Sequence, residues 1–260
     1  MRAKKKRNKK NSLVILGIVV IVLLAIAIVV FAFNANKNKK NDTEYYHPES
    51  RYEKAASTII EGTETKGWIM VQGTNVDYPV VLEKEIVKGV KEYAWVSDDY
   101  IEGETRMAIY GHNIQNVSSE PLITDPNHLR FEQLMSFAYE DFAKENLYIQ
   151  YSHDGVDELY KIYAIGFYDT NDDNGLSYHH TIQADRINEY IETVKENSIY
   201  DYDVEVNNSD ELLSLITCTR FFGANELNNF KIDARKVRDG EKIEKYSVQS
   251  NKNYDILDLE

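Results

Sequence analysis

Ser214-Leu215-Ile216-Thr217-Cys218-Thr219-Arg220 is an apolar, strand-like run that stops abruptly in polar residues, and it holds the only cysteine of the 260-residue chain. A lone thiol has no internal disulfide partner, so this fold does not rely on disulfides. Two uses are left for it. It can pack inertly, or it can act as a nucleophile, because a thiolate attacks carbonyl carbon well once a neighbouring base or cation favours ionisation.

Outward from this run, the chain is built of short stretches rich in aromatic and β-branched residues. They lie at 68–72, 78–82, 93–96, 106–110, 147–151, 159–168, 212–218 and 230–237. Turn residues such as Gly73-Thr74-Asn75, Asp98-Asp99 and Asp154-Gly155 separate them. Such a series of short strands predicts a mainly β barrel or sandwich. Helical spacing interrupts it in three places. Tyr52, Ala55, Ala56, Ile59 and Ile60 predict an N-terminal helix within 48–62, and Leu129, Phe131, Leu134, Phe137 and Phe142 predict a second. A third is marked by Ile182, Ile187, Tyr190, Ile191 and Val194, with Asp185, Glu189, Glu192 and Lys195 as its wet face. The polar segment 241–260 has little apolar periodicity and is expected to be loosely held.

The N-terminus reads differently. Seven basic residues within 1–12 precede 13–33, a stretch without any charged residue, and a helix of about 20 apolar residues spans a bilayer core. The span is longer than a signal-peptide core and lacks a clean small-x-small cleavage site, so a retained single-pass anchor is expected rather than a cleaved signal. The basic flank predicts a cytoplasmic N-terminus, with a linker at 34–47 and a domain at 48–240 outside the cell membrane. The chain holds 30 Lys and Arg against 43 Asp and Glu, and its first forty residues hold ten basic and no acidic side chains. The remainder thus carries 20 basic and 43 acidic residues, a net charge of about −23, which repels nucleic acid and other polyanions.

Histidine is the usual partner of an activated thiol, and the chain offers His47, His112, His128, His153, His179 and His180. Only His112 has a suggestive setting. It follows Arg106-Met107-Ala108-Ile109-Tyr110-Gly111, just past a predicted strand end and after a glycine that permits a tight turn. His47 belongs to the linker, His128 and His153 fall in polar loops, and His179-His180 open the third helix.

Tyr110-Gly111-His112-Asn113 together with Ser214-Leu215-Ile216-Thr217-Cys218 resembles the two active-site motifs of sortases, the membrane-anchored cysteine transpeptidases of Gram-positive bacteria. The family's cysteine motif reads T-L-x-T-C, with Ser214 here in place of its first threonine. Gly67-Trp68-Ile69 and Asp77-Tyr78-Pro79-Val80-Val81 are similar to the family's early strand pair, and the helix before Asn197-Ser198-Ile199-Tyr200 is similar to that of class B. The resemblance covers about 48–240. It implies an eight-stranded barrel with an N-terminal helix and a long helix between the sixth and seventh strands. It further implies Cys218 as nucleophile, His112 as acid and base, no cofactor, and an LPxTG-like or variant sorting signal as substrate. The acyl product would pass to an amine of a cell-wall precursor or of a pilin.

One position departs from the pattern. The family carries an arginine on its last strand, after the cysteine, and matching that strand to Phe230-Lys231-Ile232-Asp233-Ala234-Arg235 puts Asn229 in the arginine's slot. Arg220 is the first substitute, since it would share the thiol's strand face if the strand continued two residues further. A solvated strand-end charge is its plain alternative. Asn229 itself would offer one neutral donor. Arg235 shares the face of Asn229 but lies roughly 20 Å along the strand. The acidic segment Asp169-Thr170-Asn171-Asp172-Asp173-Asn174-Gly175 fails the EF-hand pattern, with Asn174 at the glycine position and His180 at the bidentate glutamate. No zinc spacing or phosphate-binding glycine loop is present.

Overall fold

The aromatic and β-branched runs form strands because their alternating side chains can bury both faces of a closed sheet. In the computed structural model, which describes residues 45–84, 93–97, 105–113, 131–169, 182–222, 229–252 and 254, all of the predicted runs are strands. They are β1 (Thr65–Val71), β2 (Asp77–Leu82), β3 (Ala94–Val96), β4 (Arg106–Gly111), β5 (Tyr148–His153), β6 (Val156–Tyr168), β8 (Leu212–Cys218) and β9 (Asn229–Lys236). These eight close into a barrel in the order β1-β2-β3-β4-β8-β9-β6-β5. Closure leaves no free edge among them. Two neighbouring pairs, β2 with β3 and β4 with β8, run parallel.

The helices are shorter than the sequence predicts. The N-terminal helix, α1 (Tyr52–Ser57), ends where the Thr58 hydroxyl donates back to the Lys54 carbonyl at 2.7 Å. The second prediction resolves into two pieces, a 3-10 helix at Phe131–Ala138 and then α2 (Glu140–Glu145). Phe131, Leu134 and Phe137 recur every three residues, the period of a 3-10 helix, and all three are fully buried. The third begins with a 3-10 turn at Ala184–Arg186 and continues as α3 (Ile187–Glu196), which buries Ile187, Tyr190, Ile191 and Val194. It lies between the sixth and seventh barrel strands, as expected. His153, expected in a loop, is the last residue of β5, where its ring pairs with Glu158 and Asp154.

The tail is not loose. A short strand β7 (Tyr200–Tyr202) pairs antiparallel with β10 (Val248–Ser250). Ile243 and Val248 are buried, and the Tyr246 hydroxyl donates to the carbonyls of Leu147 at 2.6 Å and Ile162 at 2.9 Å. Its apolar residues are too sparse to form a period, yet Ile243, Tyr246 and Val248 all find a place on the domain. The described part of the segment after 240 thus packs with the domain as far as β10.

The expected membrane localisation is corrected. Among the described residues no helix is long and apolar enough to cross a membrane, and the expected span at 13–33 lies outside them.

Candidate active site

The pairing of β4 with β8 builds the site. Their parallel register runs from Arg106 opposite Leu212 to Gly111 opposite Thr217. His112 and Cys218 are the residues that follow the last pair, and laterally paired residues of neighbouring strands share a face. Arg106, Ala108 and Tyr110 therefore line up with Leu212, Ser214 and Ile216. Residues of this face meet Tyr190 on α3, so it is the outside of the barrel. The thiol is exposed, whereas every other residue of β8 is buried.

Each motif position has a structural cause. The Thr217 hydroxyl, pointing the other way, donates to the Gly111 carbonyl at 2.7 Å and pins the two strand ends behind the His–Cys pair. At Gly111 a Cβ would lie 2.6 Å from the Phe131 ring, so only glycine lets that fully buried ring close on the strand. The Phe131 N–H in turn donates to the His112 carbonyl at 2.9 Å. Ser214 accepts a hydrogen bond from Arg106 Nε at 2.8 Å and donates to Asp233 Oδ1 at 2.5 Å. A small hydroxyl in place of the expected threonine thus serves a buried polar contact.

On the other side of Cys218 stands β9. Asn229 faces Cys218 directly in the antiparallel register and is 5 % exposed. Arg220 does not share the thiol's strand face. β8 ends at Cys218, the Phe221 N–H donates to Thr219 Oγ1 at 3.1 Å, and the rings of Phe221 and Phe222 pack against Phe167. Arg220 is left exposed. Arg235 faces Leu212 at the far end of the ladder, where both its terminal nitrogens donate to Glu241, at 2.6 and 2.7 Å. That pairing holds the Glu241 carboxyl well below its usual range.

Sequence reasoning missed what lies beneath the pair. Lys231 and Asp233, two and four residues beyond Asn229 on the same face, are each 1 % exposed and form an ion pair at 3.0 Å. Lys231 also donates to the Tyr190 hydroxyl at 3.0 Å and lies over the rings of Tyr168 and Tyr190. The Tyr190 hydroxyl donates to Asp233. Arg106, 2 % exposed, completes the cluster with its guanidinium over the Tyr190 ring. Burial, aided by the positive charge of Arg106, pushes Lys231 down to about 7 against the pull of Asp233. Burial likewise raises the phenols of Tyr163, Tyr168 and Tyr190 well above their usual value. The Lys-x-Asp-x-Arg alternation is the ordinary pattern of a wet strand face, and only Tyr190 on α3 hinted at a polar group in the helix's buried stripe.

Among the described residues no group of His, Cys, Asp and Glu could hold a metal ion. His128, His179, His180 and most of the acidic segment after Asp169 lie outside them, and His47 is exposed.

No family model matches the chain, and no curated protein matches it. Solved structures do. Sortase B of Clostridium perfringens is 21 % identical with a TM-score of 0.53, over 66 % of this chain and 92 % of that one. Sortase B from the type II pilus of Streptococcus pneumoniae is 24 % identical with a TM-score of 0.52, over 66 % and 91 %. A Staphylococcus aureus sortase B–substrate complex is 16 % identical with a TM-score of 0.54, over 78 % and 90 %. The likeness read from two short motifs therefore extends to the barrel that carries them, and the fold of this chain is that of sortase B.

Proposed function

We propose that this protein is a sortase-type cysteine transpeptidase that cleaves a sorting signal, LPxTG-like or a variant, in surface proteins. The observation that supports it most directly is the parallel register of β4 and β8, whose last pair, Gly111 opposite Thr217, immediately precedes His112 on one strand path and the exposed Cys218 on the other. In this reading the Cys218 sulfur, its proton passed to His112, attacks the scissile backbone carbonyl. The C–N bond breaks, His112 returns the proton to the departing amine, and a thioester remains. An incoming amine then attacks the thioester and loses its proton to His112. The new amide forms and the thiol is restored. That amine would belong to a cell-wall precursor or a pilin; among the similar structures one is a complex with triglycine and another is the sortase B of a pilus.

The developing oxyanion would be held by backbone N–H groups and by one side-chain donor. Asn229, opposite the thiol, is better situated than Arg220, which leaves the strand before it can share that face. Comparing turnover of Asn229→Ala and Arg220→Ala separates the two, and a larger loss in the arginine variant would reverse this assignment.

The core reading is tested by incubating the protein with candidate sorting peptides and looking for a thioester on Cys218 by mass spectrometry. An adduct is expected, and it should be absent from His112→Ala. Folded protein that forms no adduct across a broad peptide library would overturn the reading. The neutral Asn229 in the arginine slot favours a second reading, a sortase-like binding domain with impaired transfer. Slow alkylation of Cys218 by iodoacetamide near neutral pH would support that one. A third, hydrolytic transfer to water, is separated from the first by product analysis with and without an added amine.

A further inference from the structure

His112 follows β4, which has β8, ending at Cys218, on one side and β3 on the other. Trp95, the central residue of β3, pairs with Tyr110 of β4 and so shares the outer face with Tyr110 and His112. Its indole lies 4.8 Å from the imidazole, centroid to centroid, at an interplanar angle of 51°, and 6.3 Å from the Tyr110 ring at 24°. Three adjacent strands thus present Trp95, His112 and Cys218 in a row, with the imidazole in the middle.

The indole is held independently of His112. Ala94 and Val96 on either side of it are fully buried, and β3 pairs on its other edge with β2, Trp95 facing Val81. Trp95 also packs against a small core of Ala108, Tyr110 and Ile216. A ring fixed from three sides is a wall that the imidazole leans on. Its apolar edge crowds the imidazole from this side and limits rotation of that ring. A nucleophile's base generally needs a third group to orient it, because a small misplacement of the reacting pair is costly.

We propose that Trp95 is a positioning residue for His112, the apolar third member of the site, which holds the imidazole against Cys218. The proposal rests on His112 acting as the acid and base of the proposed reaction. Trp95 touches neither the thiol nor the substrate in this role.

The test is the pH dependence of Cys218 alkylation by iodoacetamide, measured in the full chain for wild type, Trp95→Phe, Trp95→Leu and His112→Ala, with thermal melts alongside. Trp95→Leu keeps apolar bulk against Tyr110 but removes the flat ring. It should slow alkylation near pH 7 by about tenfold and move the profile toward that of His112→Ala. Trp95→Phe should restore the wild-type profile to within about twofold, and with a turned-over peptide Trp95→Leu should lower kcat and leave KM in place. A wild-type profile in a folded Trp95→Leu, with His112→Ala still slowed, overturns this proposal and leaves the dyad standing. A wild-type profile in His112→Ala overturns the dyad itself. If Trp95→Leu melts below the assay temperature, Trp95→Met takes its place: a profile slowed toward His112→Ala supports the wall, and a wild-type profile overturns it.

Discussion

Two levels of one surface, the outer face of β4, β8 and β9, have opposite properties. At the upper level Cys218 is exposed and half-buried His112 stands next to it; at the lower level Lys231, Asp233 and Arg106 are almost wholly buried. The strands, the face and the register are the same at both. The difference is cover: Tyr190 of α3 presses on the lower level, while α3 ends at Glu196 and the chain after it runs off into β7. Strand alternation says which side chains share a face. It says nothing about whether another element lies over that face.

The comparison breaks most visibly at Asp233. Asp233→Ala leaves two buried cations without their carboxylate, and removing one partner of a buried pair costs about 3–5 kcal/mol. Denaturant unfolding should show a loss of this size, and a loss below about 1 kcal/mol would mean that water reaches the cluster.

A smaller effect follows from the titration of Lys231, brought to about 7 in the fold from an ordinary 10.5. Between those values the unfolded chain holds a proton that the folded chain has released. Stability must then rise with pH across that window, by at most about 1.4 kcal/mol per pH unit, and the contribution is level below it. The groups facing Lys231 are Asp233 on its own strand, Arg106 on β4, Tyr168 on β6 and Tyr190 on α3. The tyrosines, raised by burial, reduce stability only above their ordinary value near 10. Chemical unfolding from pH 7 to 9.5 should therefore show a rise in wild type that Lys231→Met lacks. Parallel curves for the two proteins would assign the titration elsewhere.

The smallest change in stability is expected at the upper level. Cys218→Ala removes an exposed side chain and should shift stability by less than about 0.5 kcal/mol while abolishing thioester formation. A large loss of stability would make Cys218 a packing residue after all.

The strands were legible because β-branched and aromatic runs separated by turn residues leave few other folds open, and all of the runs became barrel strands. The two motifs that single out His112 and Cys218 end on neighbouring strands, β4 and β8, which run parallel in register. The failures share a physical origin in tertiary cover. Lys231, Asp233 and Arg106 read as a wet face because nothing local announces a helix packed on them. Phe131, Leu134 and Phe137 read as an α-helix because a spacing of three suits both helix types until the burial of every side chain selects the tighter one. Ile243, Tyr246 and Val248 were too few to form a period, yet they tie the end of the chain to β5, β6 and β7. The expected strand continuation through Arg220 is cut short by a single turn, where Thr219 accepts from Phe221.

The hydrogen bond from the Phe131 N–H to the His112 carbonyl closes the chain on itself, since the backbone that leaves at His112 returns to it at Phe131. The stretch between them has both its ends fixed at the histidine. The backbone at the histidine is thus fixed twice, by β4 before it and by the fully buried Phe131 that returns to its carbonyl.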